Sequence, residues 1–473
     1  PFTLPLPAAA AETHHAEWLT AQRVHVARAG SAVSRWLSTA AAPRMAASMM
    51  GAGSTSLRTV RAGDTTSVSA IVGSCTQAPT VRARVVYAGR RALVLEDVTA
   101  PQAGGMDALY AQLGDEYDRV MHPLLEAQVG NPLAMEATMR GPAGGEGRVV
   151  LLFTRTVNDS LPGTAGYVSA CNFYPRGTFA ASNEAAVLYG RVPSVHESPA
   201  DWRRAMRSTV VHEAKHLASF AERLVHGRDV EAPWLEEATA RVAEELYART
   251  FTPGAAWRSN TGFAASVQCE VTMCDDRPLV MWKHFSGLYA WLQTAGTARV
   301  GLVHGDAGVV LSSTEANAGY ASGWALVRWV LDRSMRNERD LLRSLVAGGT
   351  AVGMPALAAL AGMSEADLLA QWAVRIGADA GRRTTARVVT ADSWAYGDII
   401  GGMAMLFPGV FSAQPLPAVH RSAGRFALAE ASVTGTAHYL TLAGNYSAGG
   451  QLLHLAWGNG EGVAPSLAVH RAR

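Results

Sequence analysis

Ser208-Thr209-Val210-Val211-His212-Glu213-Ala214-Lys215-His216-Leu217-Ala218-Ser219-Phe220 contains the pattern His-Glu-x-x-His, and its reading decides the rest. The pattern has chemical meaning only on a helix, and the flanking residues predict one over 198–225. Ser198-Pro199-Ala200-Asp201 offers an N-cap serine, a proline at the first helical position and an acid two residues later. Met206, Val210, Leu217, Phe220 and Leu224 give the helix an apolar face. Residues four apart lie one turn apart on one face, so His212 and His216 can bind a single zinc ion together. Zinc acidifies the water it binds, and Glu213, beside the first histidine, can take that water's proton as general base. At this content of histidine and glutamate the pattern arises by chance about 0.02 times in such a chain. An ordinary helix with two paired histidines is therefore the weaker reading.

A zinc centre needs a third protein ligand. Ala232-Pro233-Trp234-Leu235-Glu236-Glu237-Ala238 opens a second predicted helix, over 233–250, with a proline again near its start. A glutamate one turn into that helix can close the site. Acids there also complement a helix N-terminus without any metal. Spacing alone leaves both Glu236 and Glu237 open.

His-Glu-x-x-His followed by Trp234-Leu235-Glu236-Glu237-Ala238-Thr239-Ala240 resembles the glutamate-zincin, or gluzincin, metallopeptidases. In that family the glutamate directly before the small residue is the ligand, which implies His212, His216 and Glu237 around one zinc. Gly166-Tyr167-Val168-Ser169, Ser182-Asn183-Glu184 and Val187-Leu188-Tyr189 are similar to the segment before the active-site helix of hyicolysin-like neutral zinc peptidases. Glu116-Tyr117-Asp118-Arg119-Val120-Met121-His122-Pro123 resembles that family's upstream helix. The similarity spans roughly 75–380 and is most specific over 160–250. It implies a zincin-type catalytic domain and a secreted bacterial endopeptidase acting on protein or peptide. Tyr320-Ala321-Ser322-Gly323 resembles the Tyr-x-x-Gly helix start of aminopeptidase-like gluzincins. There the tyrosine hydrogen-bonds the tetrahedral intermediate, which makes Tyr320 the first candidate oxyanion donor, with Tyr167, Tyr289 and His284 behind it.

Two residues depart from the pattern. Lys215 stands between the two histidines, where the family has an uncharged residue. Arg241 occupies the position where thermolysin-like enzymes keep an acid behind a ligand histidine. Asp229, Glu244 and Glu184 are the alternative orienters.

Outward from this core the chain reads as α+β. Residues 1–50 are partly helical. Residues 51–100 are β-rich, with a hairpin of 80–87 and 92–95. The catalytic domain covers 101–380, with a helix at 107–126, a central apolar strand at 148–154 and a helical subdomain from about 277. Its helices are placed at 277–294, 320–335, 338–347, 354–361 and 364–375. Residues 386–473 turn back to strands (426–433, 438–442, 451–456 and 466–469) and form a β-sandwich-like module.

Composition bounds the function. A chain of 473 residues that is 49% hydrophobic builds a large core and is not disordered. A net charge of +2 gives no electrostatic case for nucleic acid, and no apolar run is long enough to span a membrane. Of 41 basic residues only Lys215 and Lys283 are lysine, an arginine bias expected of a GC-rich bacterial genome. The four cysteines form no Cys-x-x-Cys pair. They pair most simply as Cys269–Cys274 and Cys75–Cys171, though three pairings and four free thiols remain open. Pro1 to Pro7, followed by alanines, reads as a segment behind a cleaved secretory signal, which suggests an extracytoplasmic location, secreted or periplasmic. Only 17% of residues are charged. With Lys215, Arg241 and the tryptophan-bearing 1–50 segment, this keeps a second reading open. In it a catalytically silent zincin-fold protein serves as an extracytoplasmic subunit of a larger, membrane-associated assembly. A third reading is a zymogen whose 1–50 segment fills the cleft.

Overall fold

A computed structural model of the chain describes residues 57, 59–136, 147–174, 176–294, 313–349, 351–381, 392–413, 415, 419–421 and 440–442. The expected helical stretch within 1–50 and the expected strands at 426–433, 451–456 and 466–469 lie outside these.

The architecture is mixed α and β. Six strands form one sheet in the order β1-β2-β3-β4-β6-β5. The alternating stretches β1 (Thr65–Ser69) and β2 (Thr80–Ala88) and the buried β3 (Ala92–Asp97) run as an antiparallel meander. β3 then pairs in parallel with β4 (Val149–Phe153), and β4 in parallel with β6 (Val187–Gly190). β5 (Gly166–Val168) closes the far edge antiparallel to β6, with Tyr167 opposite Tyr189. The first three strands precede residue 100 and the last three lie beyond it, so one sheet joins the β-rich stretch to the helical part of the chain. β4 is buried along its whole length, which is why it reads as a continuous apolar run.

Side-chain alternation divides the core in two. Val94, Leu151 and Phe153 face the larger helical layer with Tyr110 and Trp202. Leu93, Leu95, Val150 and Leu152 face the smaller side with Val68, Val85 and Tyr189. Cys75 and Cys171 are disulfide-bonded on this smaller side, and Cys269 and Cys274 are bonded to each other elsewhere. Helix α1 (Asp107–Glu116) passes through a π-turn at Tyr117–Met121 into α2 (His122–Gln128), and α3 (Arg155–Ser160) comes after β4. The π-turn places Asp118 to accept hydrogen bonds from Tyr87 Oη and from the amides of Arg90 and Arg91, pinning the β2–β3 turn.

The long helix α4 (Pro199–Val225) lies on the larger face of the sheet. Its Trp202 meets the rings of Tyr110 and Phe153 at 5.2 Å each. Proline starts the helix as expected. Ser198 sits at the N-cap without a side-chain cap bond, so its backbone carbonyl alone accepts the first helical amide. Helix α5 (Pro233–Arg249) packs on α4. α6 (Val267–Thr272), α7 (Met281–Thr294) and α8 (Ser313–Arg333) come next, with α8 against both α5 and α7. α9 (Glu338–Ala347), α10 (Gly353–Ala361) and α11 (Glu365–Gly381) follow.

Two expectations need correction. α8 begins at Ser313, not near residue 320, because nothing in Thr314-Glu315-Ala316-Asn317-Ala318 breaks a helix; Tyr320 is therefore interior to it. Within the stretch expected to turn to strands, Tyr396–Leu406 forms a further helix, α12, which buries Ile399, Ile400 and Met403 in the main core at helical spacing. β7 (Val419–Arg421) and β8 (Leu440–Leu442) pair in parallel beyond it. No helix among the described residues is long and apolar enough to cross a membrane.

Cys75 and Cys171 are bonded across a sequence separation of 96. Replacing both with serine is expected to lower stability by about 2–4 kcal/mol, read as a lower midpoint in urea unfolding. An unchanged midpoint would show that the bond contributes nothing.

Candidate metal centre

Helix α4 carries His212, Glu213, Lys215 and His216, and α5 carries Glu236, Glu237 and Glu244. The two helices pack together, so these seven side chains meet at one crossing. A staple fixes that crossing. Glu116 Oε1 accepts from Arg207 Nε of α4 at 3.0 Å and from Tyr247 Oη of α5 at 2.5 Å. Arg223, farther along α4, donates to Glu231 Oε2 at 2.6 Å just before α5.

Each histidine meets a carboxylate on both sides. His212 Nδ1 lies 2.7 Å from Glu244 Oε1, and His216 Nδ1 lies 2.8 Å from Glu236 Oε1. An ionised carboxylate only accepts, so both Nδ1 atoms carry the proton. Both Nε2 atoms are then turned on Glu237, at 3.0 Å from Oε2 for His212 and 3.7 Å from Oε1 for His216. These ligand atoms lie within 4.8 Å of one another. In the neutral imidazoles, Nε2 offers a lone pair to an oxygen that also offers lone pairs. Such a facing pair is stable only with a cation between, either a proton or a metal ion. The donor set of two imidazole nitrogens and one carboxylate fits a zinc-type ion with an open fourth position.

The titration behaviour is a consequence of this geometry. Burial pushes both imidazoles down, but the facing carboxylates win. His212 is raised, and His216 is pushed up to about 10, first by the charge of Glu237 and then by the bond to Glu236. Burial opposes ionisation of Glu236, yet Lys215 and His216 hold it down to about 2. Glu237 and Glu244 are likewise held well below the usual range against burial, by the histidines and by Lys283 respectively. Glu213 goes the other way: burial raises it, and the two histidines only partly offset that. Glu213 is packed under the edge strand. A Cβ at Gly166 of β5 would sit 2.8 Å from Thr209 Cγ2 and 3.3 Å from Glu213 Cγ, so glycine lets the strand lie on the helix.

The two departures find places away from the histidine Nε2 atoms. Lys215 is fully buried and turns to α5, where Nζ pairs with Glu236 Oε1 at 2.7 Å and donates to the Glu236 carbonyl at 3.0 Å. Arg241 donates to Asn317 Oδ1 at 2.8 Å and lies 3.8 Å from Glu244 Oε1. Of the three alternative orienters Glu244 alone meets one of the two candidate ligand histidines. Glu184 accepts from the Arg176 amide, and the Asp229 carbonyl accepts from Arg223. Tyr320 is on α8, with Arg241 over its ring at 5.8 Å from the centroid, and Gly323 one turn on rests against α5 at Ala238. His284 is enclosed between the carbonyls of Val280 and Arg241, with burial lowering it to about 4. Tyr167 stacks on Tyr189 in the core, and Tyr289 Oη accepts from the Ser412 amide. Neither Tyr289 nor His284 joins the cluster. Cys269, Cys274 and Asp275 also lie close together, but the bonded sulfurs are not thiolate ligands. Sequence reasoning missed Lys283, whose Nζ pairs with Glu244 Oε2 at 2.5 Å. The rarity of lysine in the chain is the signal that could have found it.

No protein-family model matches the chain, and no curated protein matches it either.

A histidine raised above its ordinary 6.5 adds stability that is complete below 6.5 and is lost as the pH rises through about 10. For protein stripped by a chelator, the melting temperature is expected to fall between those values, and His216→Gln should flatten the slope. A flat profile in the unaltered stripped protein would show that Glu236 and Glu237 do not hold the His216 proton.

Proposed function

We propose that the protein is a zincin-type, zinc-dependent endopeptidase of an extracytoplasmic compartment. The observation that carries this reading is the Glu237 carboxylate facing the Nε2 atoms of His212 and His216 while both Nδ1 atoms are held by other carboxylates. His212, His216 and Glu237 would hold the metal. When bound, zinc supplies a Lewis acid and an acidified water. The remaining work falls to the chain's own residues. Glu236 and Glu244 keep the imidazoles in the tautomer that leaves Nε2 free to coordinate. Glu213, buried and raised, accepts the proton of the attacking water and returns it to the departing amine. Tyr320, on the helix packed against α5, is the proposed donor to the carbonyl oxygen as negative charge develops there.

Lys215 and Arg241 gave reason to consider a silent subunit. Both instead pair with the carboxylates behind the histidines, which favours the catalytic reading. Two disulfides and no free cysteine among the described residues support an oxidising compartment. The substrate class is protein or peptide.

Zinc-loaded protein should hydrolyse casein, and Glu213→Gln should lower the rate by roughly 10²–10⁴ with zinc content retained. Tyr320→Phe should cost on the order of 10² in kcat. Casein left intact by the zinc-loaded wild type, or cleaved equally by Glu213→Gln, would defeat the reading.

A further inference from the structure

The chain contains 41 basic residues, and only Lys215 and Lys283 are lysines. Both stand at the metal centre, on different helices, 68 positions apart in sequence. Each pairs with a different carboxylate, and those two carboxylates are the ones that hold the ligand histidines. We propose that Lys215 and Lys283 are a matched pair of positioning residues for the metal, one for each histidine. The proposal rests on the reading of His212, His216 and Glu237 as a zinc centre.

The geometry is similar on both sides. Glu236 Oε1 receives Lys215 Nζ at 2.7 Å and His216 Nδ1 at 2.8 Å, and its own backbone carbonyl takes a second bond from the same ammonium. Glu244 receives His212 Nδ1 on Oε1 at 2.7 Å and Lys283 Nζ on Oε2 at 2.5 Å. Lys283 comes from α7 and also reaches Ser208 Oγ on α4 at 3.4 Å, so it ties three helices at the site. Each carboxylate is thereby gripped from two directions, and each imidazole plane is fixed through it. A histidine that can rotate loses the alignment that two ligands one turn apart require.

The residue type matters. An ammonium is compact and can sit against one carboxylate oxygen, whereas a guanidinium is a broad planar fork. Elsewhere the chain uses arginine for its buried pairs, as at Arg207, Arg223 and Arg328. The Lys215 side chain is enclosed completely, so a larger group there has no outlet to solvent, while the Lys283 side chain keeps 31% of its exposure. Arginine should therefore replace Lys283 but not Lys215.

Charge and positioning predict opposite signs, which makes the test decisive. Deleting a cation beside a dication site strengthens metal binding by through-space charge alone. Loss of positioning weakens it. Zinc affinity of the full chain would be measured by competition with a chromophoric chelator, and ligand geometry by the visible spectrum of the cobalt-substituted protein. Lys283→Met should weaken zinc by about 10–100-fold and shift the cobalt bands, with Lys283→Arg restoring both. Lys215→Met should weaken zinc as much, with Lys215→Arg failing to restore it. If Lys215→Met does not fold, Lys215→Met combined with Glu236→Gln removes the stranded charge and should fold and bind zinc more weakly than wild type. Unchanged or tighter zinc binding in Lys283→Met overturns the proposal while leaving the zinc centre standing. A wild type that binds no zinc overturns both, and the two failures are told apart by that first titration.

Discussion

Three acceptors aimed at one point repel one another, and the rest of the structure is arranged to hold them there. His212 Nε2, His216 Nε2 and the Glu237 carboxylate converge from two helices, α4 and α5, that have no local reason to meet in this register. The register is set by buried polar links: Lys215 of α4 to Glu236 of α5, Arg207 of α4 and Tyr247 of α5 both to Glu116 of α1, and Arg223 of α4 to Glu231 just before α5. Buried pairs of this kind contribute little net stability, because desolvation consumes most of the Coulomb gain. Breaking one strands a buried charge at large cost, so they punish any slip of one helix past the other. Their role here is to fix a register, and apolar packing supplies the stability.

That packing has its own requirement, which is close approach. Gly323 of α8 lies against Ala238 of α5, one residue past Glu237, where an added Cβ would come within 3.1 Å. Gly287 of α7 meets Ala321 of α8 in the same way, at 2.8 Å. Small residues at both contacts let α5, α8 and α7 stack closely enough for Lys283 to reach Glu244. The start of α7 is anchored in turn by Glu270, which accepts from the amides of Val280, Met281 and Trp282. This carboxyl is pushed up to about 7 by burial despite three donors. Position therefore passes from the α7 cap to Lys283, from Lys283 to Glu244, and from Glu244 to His212.

The features legible in the sequence are local. The His-Glu-x-x-His helix, the β2–β3 hairpin and the buried strand β4 each carry their period or their punctuation within a few residues. The features that are not legible depend on pairing over distance. No residue of β5 announces that it lies at the sheet edge, antiparallel beside β6. Glu236 and Glu237 are adjacent and both acidic, and only the crossing angle of α4 and α5 sends one between the histidines and the other behind His216. The start of α8 is obscured because the motif at Tyr320 looks like a beginning, while the residues before it are equally good helix formers. Helix α12 is hidden for a related reason: Ile399, Ile400 and Met403 are spaced for a helix, but they stand among glycines at the head of a stretch that otherwise reads as strands.

Arg241 stands where the resemblance to thermolysin-like enzymes would place an acid, and helical geometry offers that acid a second place. Residues four and seven places after Glu237 share its face, at one turn and two turns. An acid at either place can turn toward the first histidine, and here the second place, Glu244, lies 2.7 Å from His212 Nδ1. With the acid at the second place, the nearer one can hold a cation, and Arg241 beside Glu244 occupies it. The cluster then holds four carboxylates, Glu213, Glu236, Glu237 and Glu244, against three cations, Lys215, Lys283 and Arg241. With neutral imidazoles that leaves one negative charge, small enough to bury, and enough to attract a cation. A bound dication would turn it to one positive charge, which suits a carbonyl oxygen as it becomes an oxyanion. With the acid at the nearer place and no arginine, the same cluster would hold one further negative charge, or two if Glu244 stayed as well.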